Sequence, residues 1–121
     1  MKLLTKEVLR RLPPLRSTDG QGMDAIAQVK FFTPDSSWTW YGVEFDGVDT
    51  FYGLIFGHES ELGYFSLAEL QRARGPLGLP IERDMHFEPK KLSDVKSPCG
   101  WVVSQFDLFR LLSVGFNRAI I

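Results

Sequence analysis

Between Ala25 and Phe56 the chain holds three short strand-like runs, separated by stretches rich in turn formers. Ala25, Ala27, Val29 and Phe31 point one way along the first run, while Gln28 and Lys30 point the other. Thr33-Pro34-Asp35-Ser36-Ser37 then turns the chain, with proline pre-setting the backbone and Asp and Ser bonding back to it. In the second run, Trp38 to Phe45, alternation sets Thr39, Tyr41, Val43 and Phe45 against Trp38, Trp40 and Glu44. Asp46-Gly47 supplies the next turn, and Thr50 to Phe56 is the third run. Three consecutive strands with short turns predict an antiparallel meander.

Helical signals flank this core. Thr5 can cap a helix carrying Val8, Leu9 and Leu12, which Pro13-Pro14 stops. Ser17 to Met23 reads as a loop. The loop His58-Glu59-Ser60-Glu61 leads to a short apolar piece, Leu62 to Phe65. Ser66 with Glu69 three residues later is a capping box for a helix that buries Leu67 and Leu70 and ends at Gly75-Pro76. From Pro80 to Phe87 alternation returns, with Ile81, Arg83, Met85 and Phe87 on one face and Glu82, Asp84 and His86 on the other. A helical turn is expected from Lys91 to Val95. The expected fold is α+β, a single antiparallel sheet of three to five strands with two or three short helices, over residues 1–96. Residues 97–121 form an apolar C-terminal extension; Asp107, Arg110 and Arg118 argue against a membrane span and favour a docked helix.

The chain's 121 residues suit one core, and its apolar fraction of 44% is enough to fold unaided. A net charge of -1 gives no field to recruit DNA or an anionic membrane, yet the charge is segregated along the chain. Residues 1–16 sum to +4, residues 17–69 to -8 and the remainder to +3. Such blocks either attract one another across the folded surface or offer an acidic face to a basic partner. Cys99 is the only cysteine, which excludes an internal disulfide and fits a reducing compartment. Lys6, Glu7, Arg10 and Arg11 interrupt the N-terminal apolar residues, so no signal peptide is read and a cytoplasmic location is expected.

Phosphate-binding glycine loops, zinc spacings and nucleophile elbows are absent from the sequence, and no cofactor or metal is expected. Three constellations could still carry chemistry. Glu82, Asp84 and His86 on one strand face could hold a hard cation or act as an acid-base pair, although a half-exposed strand shows the same pattern. His58, Glu59 and Glu61 could meet Glu44 and Asp46 at the ends of adjacent strands, although a solvated acidic loop reads the same way. Cys99 has no accompanying nucleophile signature. Large rings on both faces of the second strand mean that the sheet is covered on both sides, or that one tryptophan face is open to a protein. Glu44 and Asp46 beside those rings disfavour stacking against nucleic acid.

The stretches MKLLTKE, VKFFTPDSSWTWYGVEFDG, DTFYGLIFGHESELGYFSLAEL and RGPLGLPIERDMHFEP resemble the domain of unknown function 2958, over nearly all of residues 1–95. The resemblance ends after Ser97. It implies a small accessory protein or module of bacteria, phages or plasmids, and it brings no established activity. The expected function is a non-enzymatic binding module in a mobile element's defence or counter-defence. Trp38, Trp40, Glu44 and Asp46 would contact an unidentified protein partner. The alternative is a metal-dependent hydrolase of nucleic acid or nucleotides using Glu59, Glu61, Glu82, Asp84 and His86. A third reading has residues 97–121 building a homodimer.

Overall fold

A computed structural model describes residues 2–95, which fold into two short α-helices and seven strands. Helix α1 (Lys6–Arg11) opens on Thr5, whose Oγ1 accepts the Val8 amide at 3.3 Å, and it ends before the two prolines. Strands β1 (Ile26–Ala27), β2 (Val29–Phe32), β3 (Thr39–Phe45), β4 (Thr50–Phe56) and β5 (Ser60–Ser66) follow. Helix α2 (Leu67–Arg72), β6 (Glu82–Arg83) and β7 (Lys90–Lys91) complete the described chain. The main sheet is antiparallel, in the order β5-β4-β3-β2-β6. No described helix is long and apolar enough to cross a membrane, and the extension at 97–121 lies outside the described residues.

The single sheet read from the sequence is in fact two, because β1 leaves the main sheet to pair with β7. The change happens at Gln28, whose amide donates to the Gly42 carbonyl at 2.8 Å. Ala25 and Ala27 therefore pack on one side of the main sheet, while Val29 and Phe31 pack on the other. Two other readings also change. The segment read as a loop and a short apolar piece is the complete strand β5, paired with β4 from Phe56↔Ser60 to Thr50↔Ser66 without a bulge. The alternation from Pro80 to Phe87 stops after Arg83, where Asp84 turns the chain by accepting the His86 amide on Oδ1 at 2.9 Å.

Both faces of the sheet are covered. On the first, Leu3, Leu4, Val8, Leu70 and Ile81 lie over Val29, Phe31, Trp40, Phe45, Phe51, Ile55 and Phe65. On the second, Met23, Ala25, Ala27, Leu92 and Val95 lie over Tyr41, Val43, Leu54, Phe56 and Leu62. A bulge between Gly42 and Glu44 decides which residue goes where. Strict alternation puts Phe45 with Tyr41, but the extra residue rotates it to the first face, where its ring meets Phe51 at 4.4 Å.

Asp49 organises the start of α2. Its Oδ1 accepts the Ala68 amide at 2.8 Å, its Oδ2 accepts the Ser66 hydroxyl at 2.6 Å, and its carbonyl accepts the Leu67 amide at 2.8 Å. Ser66 in turn accepts the Glu69 amide at 3.2 Å, as the capping signal predicts.

Gly42, Gly53 and Gly63 face one another across β3, β4 and β5. A Cβ on Gly53 would sit 1.8 Å from the Tyr41 carbonyl oxygen, a backbone atom that cannot move aside. Gly53→Ala is therefore expected to destabilise the fold by about 3 kcal/mol or more, read as a lower urea midpoint.

Candidate functional site

Of the four residues expected to contact a partner, two are inside the protein. Trp40 has 0% exposure and Glu44 3%. Glu44 is buried because it holds the loop that follows α1: Oε1 accepts the Arg16 amide at 2.8 Å, and Oε2 accepts the Thr18 amide at 2.7 Å and the Thr18 hydroxyl. These bonds secure Arg16 at φ 73, a left-handed conformation that is uncommon for a residue with a side chain. Asp46 is exposed, but its Oδ1 accepts the amides of Val48, Asp49 and Thr50 at 2.8 to 3.0 Å, which holds its carboxyl below the ordinary range. It also lies eight residues from Trp38 along β3, about 26 Å at 3.3 Å per residue, so the four residues do not form one surface.

The five acid-base candidates are also separated. Reading the registers across the sheet gives one row, Glu61↔Ile55↔Trp40↔Phe31↔Arg83. Glu59 and Glu61 thus belong to the β5 edge, and Glu82, Asp84 and His86 to the β6 edge, four strand spacings or about 19 Å away. Among the described residues no three His, Cys, Asp or Glu side chains come together in a way that could hold a metal ion. Asp84 is drawn toward Lys30 at 3.7 Å, and the Lys30 ammonium lies 5.9 Å from the centre of the Tyr41 ring.

A different grouping does form at the end of the sheet where β2 turns into β3 and β4 into β5. Trp38 stacks on Trp40 at 5.8 Å and meets the His58 ring edge-on at 5.3 Å. Its indole lies so close to Gly57 that a Cβ there would be 2.4 Å from the ring. Glu61 follows on β5, with its carboxyl raised above the ordinary value first by burial and then by the Glu59 charge. At the same end, Asp35 Oδ2 accepts the amides of Leu77 at 2.8 Å and Leu79 at 3.3 Å, pinning a loop on which Leu77 is 80% exposed. The outer edge of β5 runs from this cluster, and no described strand pairs with it. The sequence singled out Trp38, His58, Glu59 and Glu61; it did not reveal β5 as an edge or the link from Asp35 to Leu77.

A family profile described as a protein of unknown function (DUF2958) matches residues 3–96. No curated protein and no solved structure shows a significant match to the chain.

Two stability effects follow from these contacts. Glu44→Gln should cost about 2 kcal/mol in chemical denaturation, because an acceptor of two amides becomes in part a donor. Burial, followed by the Asp84 charge, pushes the Tyr41 hydroxyl up from 10.0 to about 12. The folded state then holds this proton more tightly than the unfolded one, so the contribution is complete below pH 10 and is lost as pH rises toward 12. Stepped-pH denaturation should show a decline of roughly 2 kcal/mol over that window which Tyr41→Phe lacks.

Proposed function

The chain belongs to the DUF2958 family of proteins of unknown function, and from the geometry of its sheet edge we propose that it is a non-enzymatic binding module. In this reading β5 captures an extended, basic and apolar segment of a partner protein by strand addition. The observation that carries the reading is β5 itself: seven residues in unbroken register with β4, at the edge of a five-stranded sheet. Proteins commonly blunt such edges with proline, bulges or very short strands, and β5 has none of these. Its backbone is a template for pairing.

The surroundings specify the chemistry of the occupant. Glu59 and Glu61 give the edge a negative charge, and Glu61 is already held in an unfavourable ionised state by burial and by its neighbour. A lysine or arginine placed opposite Glu61 relieves that cost. Trp38 and His58 supply apolar contact at the end of the same edge. A second copy of the chain is a poorer occupant, because it brings two more carboxylates to the seam. The partner contact expected at Trp38, Trp40, Glu44 and Asp46 thus moves to Trp38, Glu59, Glu61 and the β5 backbone. An accessory protein of a mobile element acting on a host or rival protein is the role that fits a module of this type.

The test is a titration of the full chain with a short peptide of alternating lysine and valine, followed by amide hydrogen exchange. Protection of the β5 amides that weakens with added salt and is lost in Glu61→Lys is the expected result. Absence of protection at β5, or equal protection by a peptide of alternating glutamate and valine, would overturn the reading.

A further inference from the structure

The face of the sheet opposite Glu61 brings a second row of side chains to the β5 edge. Glu44↔Tyr52↔Tyr64 are direct neighbours across β3, β4 and β5, and side chains opposite one another in a sheet share a face. The Tyr52 and Tyr64 rings stand 5.2 Å apart, tilted by 58°. Tyr64 ends the row at the open edge and is 38% exposed, the most exposed residue of β5.

The surroundings of these rings are negative. Glu44 is anchored at the inner end of the row by the amides of Arg16 and Thr18, and Asp19 follows on the same loop. Burial raises the Tyr52 hydroxyl above its ordinary value, and the charges of Tyr64, Glu44 and Asp19 add to that in turn, so both carboxylates are felt at the ring pair. An aromatic face is itself negative, and carboxylates behind it strengthen its attraction for a cation. The same face of the sheet already holds one such pair. Lys30 in β2 lies directly opposite Tyr41 in β3, with its ammonium 5.9 Å from the centre of the Tyr41 ring. A strand added to β5 would set a residue opposite Tyr64 in the relation that Lys30 has to Tyr41.

Resting on the reading that β5 accepts an added strand, we infer that Tyr64 recognises a cationic side chain, arginine above lysine, at the position of the captured segment directly opposite it. Arginine is favoured because its planar, weakly hydrated guanidinium stacks on a ring. Tyr64 and Glu61 are three residues apart and so face opposite ways along β5. The captured segment therefore carries two basic residues three apart, one for each face, with apolar residues between them opposite Gly63 and Leu62. Every pairing in the sheet is antiparallel, which puts the arginine for Tyr64 before the basic residue for Glu61.

Two peptides that differ at one position test this with the full chain. One is Thr-Arg-Val-Val-Lys-Thr, and the other replaces the arginine with citrulline, which keeps nearly the same shape without the charge. Both are expected to protect the β5 amides from exchange, with the arginine peptide binding about fivefold more tightly. Tyr64→Leu should bring the arginine peptide down to the citrulline level, whereas Tyr64→Phe, which keeps the ring, should retain most of the difference. Circular dichroism checks that both variants fold. Equal affinities in the unsubstituted chain, or a difference that survives Tyr64→Leu, would refute the role of Tyr64 and leave strand capture standing. Protection of β5 by neither peptide would overturn strand capture and this assignment with it.

Discussion

The whole structure depends on how closely β3 and β4 approach at Gly42 and Gly53. A side chain on Gly53 is excluded by the Tyr41 carbonyl, and one on Gly42 would meet Val29 and Phe51 within 3.2 Å. The space beside Gly42 is filled by Phe51, whose ring contacts Phe31, Phe45 and Phe65 with centroids 4.4 to 5.5 Å apart. Phe45 can join this cluster only because the bulge after Gly42 turns it to the first face. The same bulge leaves Val43 buried in the second core and aims Glu44 at the amides of Arg16 and Thr18. One irregularity in one strand thus fixes both cores and the path of the loop after α1.

This dependence explains which parts of the fold were legible in the sequence. Thr5 and Ser66 were readable as caps because the bonds they make stay within one helical turn. Strand β4 was readable because Thr50, Phe51, Tyr52, Ile55 and Phe56 favour strands and its flanks are turn formers. The bulge was not, since Gly42-Val43-Glu44 alternates as well as any regular strand. Strand β5 was hidden by Ser60, Glu61 and Gly63, a sequence with weak β propensity that is held in place by pairing with β4. The main sheet's break from β1 depends on the Gln28 amide finding Gly42, a contact between residues far apart in the chain.

The candidate sites were less legible than the fold, for a related reason. Glu44 looks like a surface acid by residue type, yet its acceptors are filled by backbone amides 26 and 28 residues away. Trp40 looks available by alternation, yet Leu3, Leu4 and Ile81 belong to the cover over its face. Glu61 and Glu82 look like neighbours in a list of acids, yet register places them on opposite edges of the sheet. Residue type and spacing indicate what chemistry a side chain can do. Only the register shows what it can reach.

The segregation of charge along the chain takes on physical meaning in the same way. Neither ion pair described joins the basic N-terminal block to the acidic middle one: Arg11 with Glu7 lies within one helix, and Lys30 with Asp84 joins β2 to the turn after β6. The basic side chains that α1 and β6 bring together and the acidic β5 edge are separated by four strand spacings, about 19 Å, against a screening length of about 8 Å at physiological salt. At that ratio neither region neutralises the other, and each presents its own sign to whatever approaches it. A protein with almost no net charge can therefore carry two electrostatically independent surfaces. The sheet keeps them apart, which requires all five of its strands in register and hence the close contact at Gly42 and Gly53.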